Sequence, residues 1–509
     1  MLRATAALPL PPWLVSALCG LALLVAAYQA LHRPPWSDEG WFSSSSYNLA
    51  YKGFFGNTVI EPSLMGKGLT RIHERTYWVT PAYLLVQAAW YKLVPPTVFG
   101  TRALSLIFAL LALVSLYHFL EQLFPREGIS ALATLILGTS FVFLDNAGFA
   151  RPDVMSMALG LAALAAYVTL RRRPRLTWAL MSAHALVALS GLAHPNGIIH
   201  WAVLVLVILW LDRARLGWRD LLAAAAPYIV FGALWGLYIL EDPQAFVEQM
   251  RANGADGSNS RSPKTWNPLQ VVLYELRERY AVAFGLVTGG LSRLKLYALA
   301  IYFAALALCL VVEDLRRRPM VRLALAAWSV TFAIMCLFNQ KLSVYLVHIV
   351  PWYAVLAGVA GVWLWNRASG RTRWLLAGAL AGLLALEIGG IALKARTRSY
   401  IANQRQAITY VQSIARPHDR IFGTAALLYE LNFDPRLLDD PLLGIRSGRM
   451  PDLIIIDKLL YQQFFDTLRE RPQEYRQVMD RLASFIKLCQ LGDYTIYARP
   501  GHPAATGGQ

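Results

Sequence analysis

Charged residues are scarce in this sequence. Asp, Glu, Lys and Arg together account for 16% of its 509 residues, whereas apolar residues account for 56%. A soluble globular domain carries about 25% charged residues, so this shortage excludes an ordinary soluble protein. Intrinsic disorder is also excluded, because disordered chains contain few apolar residues.

Cysteine is scarce as well, with four residues in the chain. Cys19, Cys309 and Cys336 lie in apolar stretches, and Cys489 lies in a more polar region. A small disulfide scaffold is therefore excluded, and no zinc-binding spacing follows from these positions. We interpret the cysteines as small buried apolar residues.

Long apolar runs dominate the chain. A helix needs about 20 mainly apolar residues to cross a bilayer core, and we predict eleven such spans. The first run could instead be a signal peptide, but it is long for one, so we interpret it as a retained anchor. The spans are Trp13–Leu31, Phe99–Leu120, Ile129–Leu144, Val154–Leu170, Leu176–Leu192, Gly197–Leu211, Leu221–Leu240, Leu294–Val312, Val321–Phe338, Leu342–Trp365 and Trp374–Leu393.

Basic residues are distributed unevenly between the predicted short loops. One side carries sixteen arginines, and the other carries only Arg151 and Lys341. Positive charge marks the cytoplasmic side, so we predict a cytoplasmic N-terminus and an outer C-terminus in a multi-pass protein of the bacterial inner membrane. The net charge of +17 is then largely topological, and no nucleic-acid partner is expected. The sixteen are Arg3, Arg126, Arg171, Arg172, Arg173, Arg175, Arg213, Arg215, Arg219, Arg316, Arg317, Arg318, Arg322, Arg367, Arg371 and Arg373.

Two long outer segments belong to the predicted membrane domain, residues 1–396. Segment 32–98 contains Pro81–Tyr91, whose aromatic stripe predicts a helix in the membrane interface. A twelfth span there would invert everything downstream, and the arginine distribution argues against it. Segment 241–293 contains the polar run Arg251–Pro263, which cannot pack a core and could be either a mobile lid or a plain loop.

The third outer segment, residues 397–509, is predicted to be a small α/β domain, because strand patterns alternate with helix patterns. It shows neither a glycine-rich phosphate motif nor metal-ligand spacing. Predicted strands are Arg420–Gly423, Leu453–Asp457, Ser484–Cys489 and Tyr494–Ala498, and predicted helices are 399–416, 458–469 and 473–486.

Polar residues collect at the predicted outer ends of the spans. Each has a structural explanation of its own, as a helix cap, an ion-pair partner, a snorkelling residue or a turn residue. Polar groups at this depth are costly unless they face one another or a cavity. Their position at one face therefore predicts a polar cleft. The residues are Asp38, Glu39, Arg151, Asp153, His194, Lys341, Tyr345 and His348.

Such a cleft has the groups needed to deprotonate a hydroxyl group and to bind an anionic leaving group. A carboxylate can accept a proton from a hydroxyl group, and facing cations can hold an anionic leaving group such as a phosphate. An opening toward the lipid would admit a hydrophobic tail.

Six motifs occur in a recognisable order along the chain. They are Trp36-Ser37-Asp38-Glu39-Gly40, Pro81-Ala82-Tyr83-Leu84, Thr101-Arg102-Ala103-Leu104, Ala150-Arg151-Pro152-Asp153, His194-Pro195-Asn196-Gly197, and the stretch from Lys341 to Pro351-Trp352. In these motifs the sequence resembles the GT-C integral membrane glycosyltransferases, especially the protein O-mannosyltransferases and the lipid A aminoarabinose transferases. The resemblance covers most of the membrane region.

The resemblance implies inverting transfer of a sugar from a polyprenyl-phosphate donor to an acceptor hydroxyl outside the cytoplasm. The acceptor could be a lipid, a glycan or a protein. Asp38 would be the general base and Glu39 would position it. Lys341, Arg151 and Arg102 would bind the donor phosphate, with Lys341 the foremost of the three. The acceptor or the arginines would be oriented by Asp153, His194, Tyr345 and His348.

The sequence also departs from this pattern. Aminoarabinose transferases have an acid and a lysine just before the proline of the second motif, where this chain has Val79 and Thr80. No metal ligand is therefore assigned and no cofactor is predicted with certainty, although a divalent metal stays open.

Two other function classes remain as alternatives. A transporter or lipid flippase would carry ionisable residues near the bilayer midplane, whereas Glu387 is the main acid inside a predicted span here. A non-catalytic scaffold would leave the polar residues at the outer face without a purpose. The gathering of these residues at one face favours the glycosyltransferase.

Overall fold

The computed structural model describes residues 10–63, 68–254, 267–287, 289–338, 340–396 and 400–506. Helices form most of the structure, and a five-stranded sheet lies near the C-terminus. The helices of the first half are α1 (Pro12–His32), α2 (Ser37–Tyr47), α3 (Ala82–Tyr91), α4 (Val98–Leu123), α5 (Ile129–Thr139), α6 (Phe141–Ala147), α7 (Pro152–Leu170), α8 (Thr177–Ala193), α9 (Gly197–Asp212), α10 (Trp218–Ile239) and α11 (Pro243–Gly254). The helices of the second half are α12 (Pro268–Glu275), α13 (Ala281–Ala283), α14 (Leu296–Val311), α15 (Glu313–Arg316), α16 (Pro319–Leu337), α17 (Val350–Arg367), α18 (Arg371–Ala395), α19 (Arg405–Ile414), α20 (Tyr461–Leu468), α21 (Pro472–Ala483) and α22 (Pro503–Thr506).

Eight helical segments within the described ranges are long and apolar enough to cross a membrane. Six are α1, α4, α7, α10, α16 and α18, and the other two are α9 with the 3₁₀ turn that extends it to Arg215 and α14 with the 3₁₀ turn that begins at Gly290. The count rises to nine if α5 and α6, which meet at a bend of 60°, form one span. A multi-pass membrane bundle is thereby supported, but the predicted number of eleven is not confirmed. The two remaining predicted spans correspond to α8, with 17 residues, and to α17, which follows a short 3₁₀ turn at Ser343–His348.

The bend between α5 and α6 has a local cause. Ser140 adopts an extended backbone conformation, so the helix is interrupted where the sequence predicts one continuous span. The main-chain N–H of Phe141 donates to the Glu387 carboxylate of α18 instead of to a carbonyl of the preceding turn. A buried acid inside the bundle therefore replaces a helical hydrogen bond, which is a known cause of sharp kinks.

The centre of the bundle is α7, which packs against α4, α8 and α9. Its most apolar stretch is 78% buried, whereas that of α10 is 11% buried. Small residues such as Gly160 and Ala163 allow neighbouring helices to approach closely, and a Cβ at Gly160 would lie 2.2 Å from the His200 ring. The start of α7 is therefore held rigidly, and this matters because Asp153 lies in its first turn.

The second outer segment is more ordered than its composition suggests. Ala252 and Asn253 belong to α11, and the Asn253 amide donates to the Trp78 carbonyl at 2.6 Å. This corrects part of the expectation of a mobile run over Arg251–Pro263. Residues 255–266 lie outside the described ranges, so the possible lid is a prediction that the structure does not address.

The C-terminal sheet has the strand order β2-β1-β3-β5-β4. The first three strands are parallel, and the last two form an antiparallel hairpin beside them. A small sheet with helices was predicted here, and it is present; the short strand at Leu437–Leu438 was not foreseen. The strands are β1 (Ile421–Phe422), β2 (Leu437–Leu438), β3 (Leu453–Asp457), β4 (Ile486–Leu491) and β5 (Tyr494–Ala498).

The C-terminal sheet region packs directly on α2. Gly40 lies so close to it that an added Cβ would be 2.1 Å from the Ala425 carbonyl oxygen. The Tyr429 hydroxyl donates to the Glu39 main-chain carbonyl at 3.0 Å, and the Trp41 indole donates to Asp439 Oδ2 at 2.9 Å. The first outer loop and the C-terminal region therefore form one packed unit.

Asp439 is the charged centre of this contact. Its carboxylate accepts from Trp41, from the Ala425 main-chain N–H at 2.9 Å and from the Tyr461 hydroxyl at 3.1 Å. Burial nevertheless raises the pKa of Asp439 from about 3.8 to about 7. The desolvation cost of the ionised form therefore exceeds what the three hydrogen bonds return.

We predict that Asp439 makes the protein less stable as the pH rises from 5 to 8. The folded pKa lies above the unfolded one, so the contribution is full below pH about 4 and is lost as the pH passes about 7. In Asp439→Asn this dependence should be smaller, because the amide does not titrate. Melting temperatures in detergent at pH 5, 6, 7 and 8 measure the two slopes. Equal slopes in wild type and variant would contradict the assignment.

Candidate active site

The first turn of α2 presents two adjacent acids. The helix begins after Trp36, whose main-chain N–H donates to Glu39 Oε2 at 2.8 Å, as in a capping box. Both carboxylates lie near the positive end of the helix dipole. Their environments differ, since the Asp38 side chain is 22% exposed and the Glu39 side chain is 1% exposed.

Glu39 forms a buried ion pair with Arg102 of α4. The two carboxylate oxygens accept from Arg102 Nε at 2.8 Å and from Nη2 at 2.7 Å, and Oε1 also accepts from the Ala150 main-chain N–H at 2.8 Å. Burial alone would raise the pKa of Glu39, but the ion pair and these hydrogen bonds outweigh it and hold the pKa below its usual range. Glu39 is therefore ionised and fixed in place.

Arg102 has no donor left for a ligand. Besides Glu39, it donates to the carbonyls of Ala30, Arg33 and Pro34 at 2.6, 2.8 and 3.2 Å. A guanidinium has five N–H groups, and each of them is engaged. The sequence analysis predicted a phosphate-binding role for Arg102, whereas the structure gives it the role of joining the end of α1 to α2.

Asp38 pairs with Arg151, the residue that precedes α7. Arg151 also donates from Nε to Asp153 Oδ2 at 3.0 Å, so its guanidinium bridges the two carboxylates. Burial raises the pKa of Asp38 above its ordinary value, and the Arg151 charge opposes this rise. The structure therefore brings Asp38, Arg151 and Asp153 together, as the sequence analysis expected of one cleft.

Three aromatic rings from later loops line the far side of Asp153. The His194 ring lies 5.2 Å from the Tyr345 ring and 6.3 Å from the His348 ring. Its Nε2 is 3.8 Å from Asp153 Oδ1. His348 in turn shares a hydrogen bond of 3.1 Å with His200, a residue of α9 that the sequence analysis did not select.

Asp153, His194 and His348 have one ligand atom each within 4.8 Å of one another, the spacing of a possible metal site. Asp153 Oδ1 and His348 Nε2 are buried and have no hydrogen-bond partner among the residues that the structure describes. The His194 Nδ1, however, accepts from the Asn196 main-chain N–H at 3.1 Å, which puts the proton of the neutral ring on Nε2. Arg151 already supplies a positive charge beside Asp153. The tautomer of His194 and the positive charge of Arg151 therefore fit a metal ion poorly at this position.

Lys341 forms a second charged group with residues of the second outer segment. Its Nζ lies 2.9 Å from Glu275 Oε2, and Arg279 Nη1 lies 2.5 Å from Glu275 Oε1. Arg279 also donates to the Gln340 carbonyl at 3.0 Å and lies 5.9 Å from the Tyr345 ring. Lys341 is paired with Glu275 and not with Asp38. Tyr345 lies between the Glu275 group and the Asp38 group, because its ring is near both Arg279 and His194.

Arg279 was missed by sequence reasoning. A usable signal existed, because Glu275 and Arg279 are four residues apart and such a pair meets on one face of a helix. Both side chains are completely buried, in an outer segment where an isolated charge would be costly. Only the fold shows that this pair meets Lys341, which is distant in sequence.

Comparison with known proteins places this site in context. Neither a protein-family model nor a curated protein matches the chain. Among solved structures, ArnT from Cupriavidus metallidurans bound to undecaprenyl phosphate is 15% identical, with a TM-score of 0.64 over 96% of this chain and 98% of ArnT. The oligosaccharyltransferase AglB from Archaeoglobus fulgidus, in complex with an inhibitory peptide and a dolichol-phosphate, is 11% identical, with a TM-score of 0.53 over 96% of this chain and 74% of AglB.

Another structure of the Archaeoglobus fulgidus oligosaccharyltransferase, in complex with Zn and sulfate, is 12% identical, with a TM-score of 0.53 over 95% of this chain and 73% of that one. At such identities the likeness establishes the fold. The chain therefore has the GT-C fold, and the expected resemblance is confirmed at that level.

We predict that Glu39→Gln strongly destabilises the protein. The substitution leaves Arg102 buried without a counter-charge, and breaking a buried ion pair in this way costs about 3–5 kcal/mol. Glu74→Gln is the matched control, because Glu74 pairs with Arg71 but is 59% exposed. Melting temperatures in detergent should fall by several degrees for Glu39→Gln and stay unchanged for Glu74→Gln. Equal melting temperatures would show that the Glu39 pair does not support the fold.

Proposed function

We propose that this chain, which has the fold of the GT-C glycosyltransferases, is a membrane glycosyltransferase. It transfers a sugar from a polyprenyl-phosphate donor to an acceptor hydroxyl on the extracytoplasmic face, with inversion at the anomeric carbon. The observation that carries the proposal is the pairing of a partly exposed carboxylate, Asp38, with Arg151 at the same end of the bundle as two further buried cations.

Asp38 is the general base in this proposal. It is the more accessible of the two acids in α2, and its pKa is raised toward the range in which a base works well near neutral pH. Arg151 and the first turn of α2 hold it in position. Glu39 is a positioning residue, because its own oxygens are occupied by Arg102 and by two main-chain N–H groups.

The reaction balances with these groups alone. The acceptor hydroxyl gives its proton to Asp38, and its oxygen forms a bond to the anomeric carbon of the donor sugar. The bond between that carbon and the phosphate oxygen breaks on the opposite face, and the electron pair leaves with polyprenyl phosphate. The negative charge on the leaving phosphate then requires a cation.

Arg279 and Lys341 are the proposed cations for that phosphate, with Arg151 nearer to the sugar. Arg279 Nε has no hydrogen-bond partner among the described residues and can donate to the phosphate. Lys341 contributes its charge, because its Nζ already donates to the Met335 and Cys336 carbonyls at 3.0 and 2.9 Å. Both cations share the single carboxylate of Glu275, so one positive charge is in excess in this buried group. A lipid phosphate would supply the missing negative charge. Arg102 is not part of the proposed phosphate site.

The acceptor side is proposed to include Asp153, His194, Tyr345 and His348. Asp153 Oδ1 and His348 Nε2 are buried without hydrogen-bond partners, and such atoms normally find water or ligand. Burial lowers the pKa of His194, so its ring is neutral and can exchange hydrogen bonds with a hydroxyl group. The acceptor is a lipid, a glycan or a protein.

The remaining assignments are also proposals. The membrane domain comprises residues 1–396, including the outer loops 32–98 and 241–293, and the extracytoplasmic domain comprises residues 397–509. The N-terminus is cytoplasmic, and the membrane is the bacterial inner membrane. The fold is consistent with this arrangement because Asp38 and the C-terminal sheet lie at the same end of the bundle.

We predict that Asp38→Asn lowers transfer at least about 100-fold, because an amide cannot accept the acceptor proton. Membranes containing the protein would be supplied with a panel of radiolabelled polyprenyl-phosphate sugars and assayed for sugar transfer. The control Glu74→Gln should retain activity, and the melting temperature of Asp38→Asn should confirm folding. Normal transfer by Asp38→Asn would refute the mechanism. Movement of labelled lipid across the bilayer without sugar transfer would support a flippase instead.

We predict that Lys341→Ala lowers kcat/KM for the donor by at least about tenfold while the KM for the acceptor stays the same. The lysine charge acts on the donor phosphate, and Arg279 still neutralises Glu275 in the variant. Lys92→Gln, which removes an exposed lysine from the first outer loop, is the control. An effect on the acceptor KM alone would place Lys341 on the other side of the site.

A further inference from the structure

Another group of cations, separate from the Lys341 group and from the candidate active site, lies at the end of the bundle that carries Asp38. We call it the Asp145 cluster, and it consists of Asp145, Arg33, Lys295 and Lys394. Asp145 lies in α6, Arg33 directly follows α1, Lys295 directly precedes α14, and Lys394 lies in the last turn of α18. Four helices distant in sequence thus bring three basic side chains to one acid.

The distances within the cluster are short. Arg33 Nη1 lies 2.9 Å and Lys394 Nζ lies 2.7 Å from the same Oδ1 atom of Asp145. The two nitrogens are therefore at most 5.6 Å apart, the sum of these distances. Lys295 Nζ lies 3.7 Å from the centre of the Phe141 ring, and Lys394 Nζ lies 5.6 Å from that centre. The two lysine nitrogens are therefore at most 9.3 Å apart, the sum of these distances, so the cluster can surround the head group of one phospholipid.

The charges of the cluster do not balance. Asp145 is shared by Arg33 and Lys394, and the nearby carboxylate of Glu387 accepts the Phe141 main-chain N–H. Within the part of the chain that the structure describes, Lys295 forms no ion pair: its Nζ lies over the Phe141 ring, and Asp145 and Glu387 act on it only at longer range. The cluster has three cations and two nearby acids. A positive charge thus remains in a partly buried position, where a counter-ion is favourable.

The surroundings of the cluster place it at the depth of lipid head groups. Large apolar side chains next to its members face outward: Leu31 is 44% exposed, Leu294 is 52% exposed and Leu393 is 51% exposed. Apolar side chains exposed on a transmembrane bundle contact lipid tails, and basic residues at the ends of such helices lie beside the phosphates. The ligand is therefore expected to have both an acyl chain and a phosphate.

We propose that the Asp145 cluster binds the phosphate of an anionic glycerophospholipid in the leaflet at this end of the bundle. Lys295 supplies the cation that forms no ion pair among the described residues, and Arg33 and Lys394 supply further donors around Asp145. The site does not depend on the proposed glycosyl transfer.

The cluster lies behind the catalytic loop rather than in it. The Arg33 guanidinium stacks at 3.4 Å on the Phe149 ring, whereas the Arg33 main-chain carbonyl accepts from Arg102, which holds Glu39. A lipid that fixes Arg33 would thereby also fix the end of α1 on which Arg102 is anchored. A polyprenyl phosphate at this place would be separated from Asp38 by the Glu39–Arg102 pair, so the observations favour a structural phospholipid.

The test is native mass spectrometry of the full-length protein in detergent with added lipids. Phosphatidylglycerol should bind more tightly than phosphatidylcholine of the same acyl chains. Lys295→Gln should weaken phosphatidylglycerol binding about fivefold, and the double variant Lys295→Gln with Lys394→Gln about 20-fold or more, since each cation near a lipid surface contributes about that factor. Lys92→Gln is the matched control and should bind like wild type.

Other outcomes would overturn the proposal. Equal binding of the two phospholipids, or unchanged phosphatidylglycerol binding by Lys295→Gln, would show that the cluster recognises no anionic head group. Displacement of phosphatidylglycerol by equimolar undecaprenyl phosphate, lost in Lys295→Gln, would assign the cluster to a polyprenyl lipid instead. Melting temperatures without added lipid confirm that the variants are folded.

Discussion

The ion pair of Glu39 and Arg102 is the constraint on which the rest of this structure depends. It joins the end of α1, the start of α2 and the start of α4, because Arg102 donates both to Glu39 and to three carbonyls at and just after the end of α1. Burying the ion pair costs desolvation free energy, which is offset only when both side chains are fully hydrogen-bonded. All five N–H groups of the guanidinium are engaged in this arrangement, which ties the loop before α2 to both helices. Asp38 is held in position as well, because it is adjacent to Glu39 in the first turn of α2.

Two adjacent carboxylates in one helical turn thus differ in burial and in the direction of their pKa shifts. Glu39 points into the bundle, where cations and N–H groups saturate it, and its pKa is held low. Asp38 pairs with Arg151, keeps partial exposure and has a raised pKa. The packing of the C-terminal sheet region on Gly40 and Trp41 secures this orientation from the other side. The position of Asp38, the proposed base, therefore depends on the buried Glu39 beside it and on the C-terminal region packed against α2.

Sequence patterns predicted the apolar helices, the strand Leu453–Asp457 and the meeting of Asp38, Arg151 and Asp153 at one face, because span ends and charge placement are local or topological properties. They did not predict the fully engaged Arg102, since an arginine that opens a span looks the same whether it binds a ligand or a carboxylate. Nor did they predict the break at Ser140, which depends on Glu387 of a distant helix. The cationic group around Arg279 was missed because only the fold brings the Glu275–Arg279 pair beside Lys341, which is distant in sequence. Long-range pairing of charges is what the local pattern lacks.

The charges of the candidate site are separated into one negative and one positive group. Asp38, Arg151 and Asp153 together carry one excess negative charge, and Glu275, Arg279 and Lys341 carry one excess positive charge. Tyr345 lies between the two groups, 5.2 Å from the His194 ring and 5.9 Å from the Arg279 guanidinium. In a site of low dielectric constant such a separation favours the movement of negative charge toward the cations. A displacement that starts with an acceptor oxygen near Asp38 and ends with a phosphate near Lys341 moves charge in that direction. The order of the two groups, more than any single residue, is therefore what suits the proposed transfer from a phosphate-linked donor.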